Sequence, residues 1–328
     1  MNLIKHNKVF WLLPLILLGL IAWDVMTGQV SLNWQQLLGQ APISKLQLIA
    51  LHDIRIPRML MAGLCGALFA ASGTILQSVM RNPLAAPDIV GVTAGAAIMA
   101  VAALIIYPSL STMGVAWLAS FGAFLGFALT YLLARVHGHV SPTRLAITGV
   151  AIGASLLAGE HFLLLIAPND IGPSLSFIAG TVYGVNWERV LALLPFALPL
   201  LLMTLFLGKT LDVLTLHDEV AIGIGVNVKR RRMVSLLFAV LLAGLGVAGA
   251  GILGFVGLIA PQVARLLVGA KHQVRLPIAM LVGACLVIAA DTIGRSLMPP
   301  MELPAGIVTT LIGTPYFLGL LIRKTDKV

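Results

Sequence analysis

Charged side chains are scarce in this 328-residue sequence: 10% of the residues are Asp, Glu, Lys or Arg, with 12 acidic against 21 basic. A soluble globular domain carries about 25%, so a water-facing surface cannot be assembled from this chain. Cysteine is nearly absent. Cys65 and Cys285 both sit inside apolar runs, which excludes a disulfide framework. No Ser or Cys nucleophile is accompanied by a nearby His and carboxylate. The one close histidine pair, His137 and His139, has no acidic or cysteine neighbour, so no metal site is expected. "GKT" at Gly208, Lys209 and Thr210 resembles the end of a phosphate-binding loop, but that pattern needs glycine five residues earlier and finds Met203. No strand precedes it. The chain is therefore not expected to be an enzyme, and no cofactor is expected within it.

What is present is apolar. Hydrophobic residues make up 59% of the chain, and the mean hydropathy is +1.02. Uncharged stretches long enough to cross about 30 Å of hydrocarbon recur along the whole length. Lipid offers no partner to an exposed backbone, so these are expected as helices, packed closely through many of the 33 glycines. The fold class is an all-α integral membrane protein with about ten transmembrane helices in a single domain, 1–328. The spans fall near 9–27, 58–80, 89–107, 114–134, 144–166, 190–208, 233–250, 252–268, 277–296 and 304–322. The uncharged stretch from Met233 to Ala264 would reach about 48 Å as one helix. It is divided in two at its Gly-rich middle, "GLGVAGAGILG". The basic, apolar N-terminus has the outline of a signal peptide, but Asp24, Val25 and Met26 replace a small-residue cleavage site, so it is expected as a retained first span.

Charge orients the spans. With the N-terminus inside, sixteen of the 21 basic residues fall on the cytoplasmic side, leaving Lys45, Arg55, Arg58, Arg189 and Arg295 outside. Nine spans would place the basic tail "RKTDKV" outside, so ten spans with both termini cytoplasmic are expected. The net charge of +9 is then a consequence of topology and calls for no nucleic acid.

Three places break the apolar text. "RNPLAAPDIVGV" forms a polar, proline-broken elbow after the second span, read from spacing as an inter-helix turn or as part of a passage. Glu160 and Asp291 lie near the outer ends of the fifth and ninth spans, where a charge at membrane depth points to function. Glu160 either lines a solvated cavity or is neutralised by a neighbour. Asp291 and Arg295, at i,i+4, share a helix face and are expected to pair. Finally, the long cytoplasmic connection 209–232 contains "LHDEVAIGIG", a short amphipathic helix with Asp218 and Glu219 in its first turn, ending at a glycine before the cluster Lys229–Arg232. A plain connection needs no such insert, so a docked cytoplasmic partner is expected.

Four stretches, in order, resemble the FecCD-like permeases: "RIPRMLMAGLCGALFAASGTILQSVMRNPLAAPDIVGV", "GFVGLIAPQVARLLVGAKHQVRLP", "GACLVIAADTIGR" and "ELPAGIVTTLIGTPYFLGLL". The resemblance runs from about residue 55 to 322. It implies a type II ABC importer permease in the inner membrane of a bacterium. Such permeases have ten spans and move an iron-siderophore complex, haem or cobalamin. It further implies a second permease chain, two ATPase subunits carrying ATP and Mg, and an outer substrate-binding protein. On this resemblance Asp218, Glu219, Ala221 and Gly225 sit in a cleft of the ATPase. Asn82 and Leu84, with Ser141 and Thr143, form the cytoplasmic gate, although Pro142 departs from the cobalamin importer between the second pair. Arg55, Arg58 and Arg295 receive acidic residues of the binding protein, the alternative being arginines that snorkel to lipid headgroups.

The implied mechanism is alternating access without chemistry in this chain, ATP supplying the differential binding that shifts the two states. The substrate is read as an iron-siderophore complex, with cobalamin or haem as alternatives. An ion-coupled secondary transporter would want ionisable groups at mid-span, where Glu160 alone is a candidate. An intramembrane enzyme would want a nucleophile or metal set that the chain lacks.

Overall fold

The computed structural model describes residues 3–28, 30, 32–136, 140–166, 171–297, 299 and 301–325, the side chains of 3–11, 171 and 320–325 aside. It is all-helical, with no strand among the described residues. In chain order the helices are α1 (Leu3–Met26), α2 (Trp34–Leu37) and α3 (Lys45–Ile49), which runs through a π-helical turn, Ala50–Arg55, into α4 (Ile56–Val79). After the elbow and a 3₁₀ turn, Pro87–Val90, come α5 (Val92–Ile106), α6 (Thr112–Ala134), α7 (Pro142–Ile166), α8 (Ile171–Ala179) and α9 (Trp187–Leu205). Then follow α10 (Gly208–Leu214), α11 (Asp218–Gly223), α12 (Val228–Ala250), α13 (Val256–Val268), α14 (His272–Leu297) and α15 (Ala305–Thr325). Among the described residues six helical stretches are long and apolar enough to cross a membrane: the continuous rod Lys45–Val79, α6, α7, α9, α12 and α14. Four shorter apolar helices accompany them: the Leu12–Met26 part of α1, α5, α13 and the Ala305–Gly319 part of α15.

The surface is inverted relative to a soluble protein. Phe206, Leu165, Leu266 and Ile147 are 67–86% exposed, an arrangement that water disfavours and lipid does not. At the centre stands α4, buried along almost its whole length and packed by α14, α12 and α13. Glycine makes that packing possible. A Cβ on Gly66 would lie 2.2 Å from the Gly283 carbonyl of α14, and one on Gly73 would lie 1.7 Å from the Gly257 carbonyl of α13. Backbones this close leave no room for a side chain.

The Gly-rich stretch turns the chain at the expected place, although the second helix starts at Val256 and not at 252. Helix α12 runs to Ala250, the break spans 251–255, and α13 starts at Val256. Gly251 and Phe255 both have positive φ, of 69° and 65°, which stops helix propagation at each side of the break. The basic cluster expected in a connection instead forms the first turns of α12, capped by the Asn227 side chain accepting from the Arg230 N–H at 3.0 Å. Helix α8 has no counterpart among the expected spans.

Candidate functional site

Helix α11 is built as the sequence pattern implies. His217 is its extended N-cap residue, Asp218 and Glu219 occupy the first turn, where acidic groups favour the helix dipole, and Gly225 has φ of 80° just beyond its end. Glu219 and Gly225 face outward, as do Val220, Ile222 and Ile224, which are 53–62% exposed. The helix therefore presents an apolar ridge beside Glu219, whose carboxylate has no hydrogen bond or ion pair among the described residues. Ala221 does not share that ridge: it is fully buried beneath the helix against the chain's own core, because it lies on the opposite face from Val220 and Ile222. The expectation that Ala221 reaches into a partner is corrected accordingly.

Asp218 is engaged internally as well. Its carboxylate accepts from Arg81 of the elbow and from Arg232 of α12, the latter at 2.8 and 3.1 Å. Arg81 also donates to the Leu214 carbonyl at the end of α10, 3.0 Å away, and holds φ at 51° to do so. Partial burial pushes the Asp218 carboxyl up, but hydrogen bonds and charge from Arg232 and Arg81 outweigh it and hold it below the ordinary carboxylate value. The elbow, α10, α11 and α12 are thus joined at one carboxylate. A cavity of about 480 Å³ lies beside this joint, lined among others by Asp218, Ile222, Lys229 and Arg232.

The elbow itself is rigidly made. Asn82 Oδ1 accepts from the Leu84 N–H at 2.9 Å, closing an Asx-type turn. The Pro83 carbonyl accepts from Gln262 of α13 at 2.7 Å, and Leu84 is half-buried. Ser141 plays the part of N-cap to α7, its hydroxyl accepting from the Arg144 N–H at 3.3 Å, with Pro142 in the first turn and Thr143 exposed. Pro142 therefore starts the helix rather than disturbing it. No hydrogen bond joins the Asn82–Leu84 pair to Ser141 or Thr143 among the described residues.

At the far end of the bundle the outer arginines are not free. Arg58 forms a two-pronged pair with Asp291, 2.8 Å from each guanidinium nitrogen to its carboxylate oxygen, and also holds Glu302 at 2.7 Å. Arg295 pairs with Asp24, and donates to the Thr27 carbonyl at 3.1 Å. Arg55 donates to the Val25 and Val30 carbonyls. Arg55 and Arg58 are 4% and 6% exposed. The docking surface expected from Arg55, Arg58 and Arg295 is corrected by this geometry: their forks point inward and fasten α1, α4 and α14 together. They do not snorkel either, since the guanidiniums end on protein oxygens. Asp291 pairs with Arg58 of α4 and not with Arg295 on its own helix, because α4 and α14 are in contact there and the cross-helix fork meets both carboxylate oxygens.

Glu160 lies on the stripe by which α7 meets its neighbours. Leu145, Gly149, Gly153 and Glu160 are the buried residues of that helix, and Gly149 touches the backbone of Ile89 and Val90. Glu160 is 2% exposed, and one of its carboxylate oxygens has no hydrogen-bond partner. His137 and His139 lie outside the described residues. No cluster of three or more His, Cys, Asp or Glu able to hold a metal occurs among the described residues.

An inverted apolar surface and long apolar helices closely packed through glycine define a multi-pass membrane protein. The chain belongs to the FecCD transport family, whose pattern it matches over residues 15–323. It is 42% identical over 277 residues to an Fe(3+)-citrate import system permease protein of Bacillus subtilis, covering 84% of this chain and 83% of that one. It is 36% identical over 311 residues to the Fe(3+) dicitrate transport system permease protein of Escherichia coli, covering 95% and 97%. A hemin transport system permease protein of Yersinia pestis is 36% identical over 324 residues, covering 97% and 96%. Among solved structures, an inward-facing conformation of a metal-chelate type ABC transporter superposes with a TM-score of 0.85 at 32% identity, covering 97% of this chain and 99% of that chain.

Proposed function

We propose that this chain is the permease subunit of an ATP-driven importer that carries a ferric chelate, of the iron-siderophore or iron-citrate kind, inward by alternating access. The two relatives named for ferric citrate import support the substrate class. The hemin permease at similar identity makes haem the first alternative. The observation that carries the mechanism is the joint at Asp218, which links an outward-facing helix, α11, to the elbow that continues α4, the central helix of the bundle. A push on α11 is delivered through Arg81 to the elbow and through Arg232 to α12, without passing through a loose connection.

In this reading Glu219, Gly225 and the ridge of Val220, Ile222 and Ile224 contact a cytoplasmic ATPase subunit carrying ATP and Mg. Asn82 and Leu84, with Ser141 and Thr143, narrow the pathway at the same end. Both termini lie in the cytoplasm of a bacterium whose inner membrane holds the protein, as the sixteen basic residues on that side favour. A second permease chain covers the exposed faces of α7 and α15, and a binding protein delivers substrate at the far end.

The test is uptake of ferric citrate and of a siderophore panel into proteoliposomes holding this permease with its ATPase and binding protein. ATP-dependent uptake insensitive to a protonophore is expected. Uptake that collapses with the protonophore and needs no ATPase would overturn the reading in favour of an ion-coupled carrier, with Glu160 as its carboxylate.

A further inference from the structure

At the elbow end a second cavity of about 310 Å³ is lined by Gln77, Ser78, Arg81, Arg265, His272 and Arg275 among others. Its size falls at the lower end of the range for small-molecule pockets. Its charge is one-sided: three guanidiniums line it and no carboxylate does.

The nearby carboxylates are engaged elsewhere. Asp212 accepts from the backbone N–H of His272 at 2.9 Å and lies 2.7 Å from its Nδ1, while Asp218 serves Arg81 and Arg232. Arg275 is 5% exposed, yet every partner it has is neutral. It donates to the Gln77 side-chain oxygen at 2.8 Å and to the Pro261 carbonyl at 3.2 Å, with His272 Nε2 at 3.4 Å. Arg265, exposed at the mouth, has no hydrogen bond or ion pair among the described residues. A buried charge is ordinarily paired, and two guanidiniums beside one cavity repel each other unless an anion lies between them.

The supporting frame is firm. Gln77 donates to the Leu258 carbonyl at 3.2 Å and accepts from Gln262 at 3.1 Å as well as from Arg275. Ser78 Oγ lies 2.6 Å from His272 Nε2. With the Nδ1 proton directed at Asp212, His272 Nε2 accepts from the Ser78 hydroxyl, and the Arg275 fork is held by the Gln77 and Pro261 oxygens, with N–H groups left over for a further acceptor. A planar fork of this kind suits a tetrahedral oxyanion.

We propose that this cavity binds a phosphate-type oxyanion, held between Arg265 and Arg275 with Arg81 at the rim. The chemistry is that of a free phosphate or of the phosphodiester of an anionic lipid, since the cavity lies where the apolar helices α4 and α13 end and α14 begins. Its two principal cations, Arg265 and Arg275, have no part in the transport reading, although Arg81 at the rim is shared with the Asp218 joint.

The test uses the purified full chain in neutral detergent, titrated with inorganic phosphate, with dioctanoyl phosphatidylglycerol and, as control, with dioctanoyl phosphatidylcholine. Binding is followed by calorimetry and by the thermal midpoint. Saturable binding of phosphate assigns a free oxyanion, and saturable binding of the phosphatidylglycerol alone assigns a lipid headgroup. In either case Arg265→Gln, at an exposed and unpaired position where folding is not at stake, should weaken binding about tenfold or more. Arg275→Gln should do the same if it folds. Absence of saturable binding by both anionic probes, phosphatidylcholine binding as well as phosphatidylglycerol, or an affinity unmoved by Arg265→Gln would overturn the proposal.

Discussion

Arg81 and Asp218 form an ion pair across 137 positions of sequence, fastening the elbow after α4 to the first turn of α11. The same carboxylate takes a second cation, Arg232, from α12. Three separate pieces of chain are therefore tied together at this end of the bundle, and α11 is the one of them that carries the exposed apolar ridge of Val220, Ile222 and Ile224.

Loss of this joint should uncouple transport more than it destabilises the fold. The Asp218 side chain is 41% exposed, and exposed pairs contribute only about 0–1 kcal/mol. Arg81→Ala is expected to leave membrane yield unchanged while lowering ATP-driven uptake several-fold, and Arg81→Asp combined with Asp218→Arg should restore part of it. Normal uptake by both single variants would remove the joint from the mechanism.

The pH dependence has a definite sign. Asp218 titrates below its unfolded value, so its contribution is fully present above about pH 4, the unfolded carboxylate value. It is lost as pH falls through the lower folded value. Asp218→Asn, which mimics the protonated state, should show a constant deficit in thermal midpoint relative to the native chain from pH 5 to 8. The deficit should shrink on acidification below about pH 4. A deficit that widens on acidification would contradict the pairing.

Arg58 should matter for folding before it matters for docking. Removing it leaves Asp291, 1% exposed, as a buried carboxylate without its partner, which costs about 3–5 kcal/mol. Arg58→Ala is expected to lower the denaturation midpoint sharply, and pairing it with Asp291→Leu should recover part of the loss. Were Arg58→Ala to retain full stability and lose only binding-protein affinity, the arginine would belong to a docking surface after all.

At the elbow, Leu84→Ala shortens a half-buried side chain beside a turn fixed by Asn82 and Gln262. Nucleotide-free proteoliposomes carrying it should leak substrate faster than the native transporter. An unchanged leak would make the elbow a structural turn.

Gly73→Ala places a Cβ 1.7 Å from a backbone oxygen of α13, where neither partner can give way. Folded yield should collapse, whereas Gly19→Ala, with nothing within 4 Å, should be silent. Equal yields from the two would mean that α4 and α13 pack less closely than described.

Much of this protein was determined by its sequence alone. Scarce charge and long apolar runs dictated membrane helices, since lipid leaves the backbone no other partner. Helices lie at each of the ten expected segments, and the Asp218–Glu219 start of α11 was legible because helix-start signals are local. What the sequence could not reveal is who pairs with whom. Spacing favoured Asp291 with Arg295, four residues away, but α4 brings Arg58 to it across 233 positions, and Arg295 turns to Asp24, 271 positions distant. The family resemblance likewise put Ala221 on the partner's side, whereas the core had claimed it. The reason is physical. Period and cap are properties of one segment, whereas the partner of a charge at membrane depth depends on which backbones approach. Here that was settled by glycines such as Gly66 against Gly283 and Gly73 against Gly257, whose contacts exist only once the helices have packed.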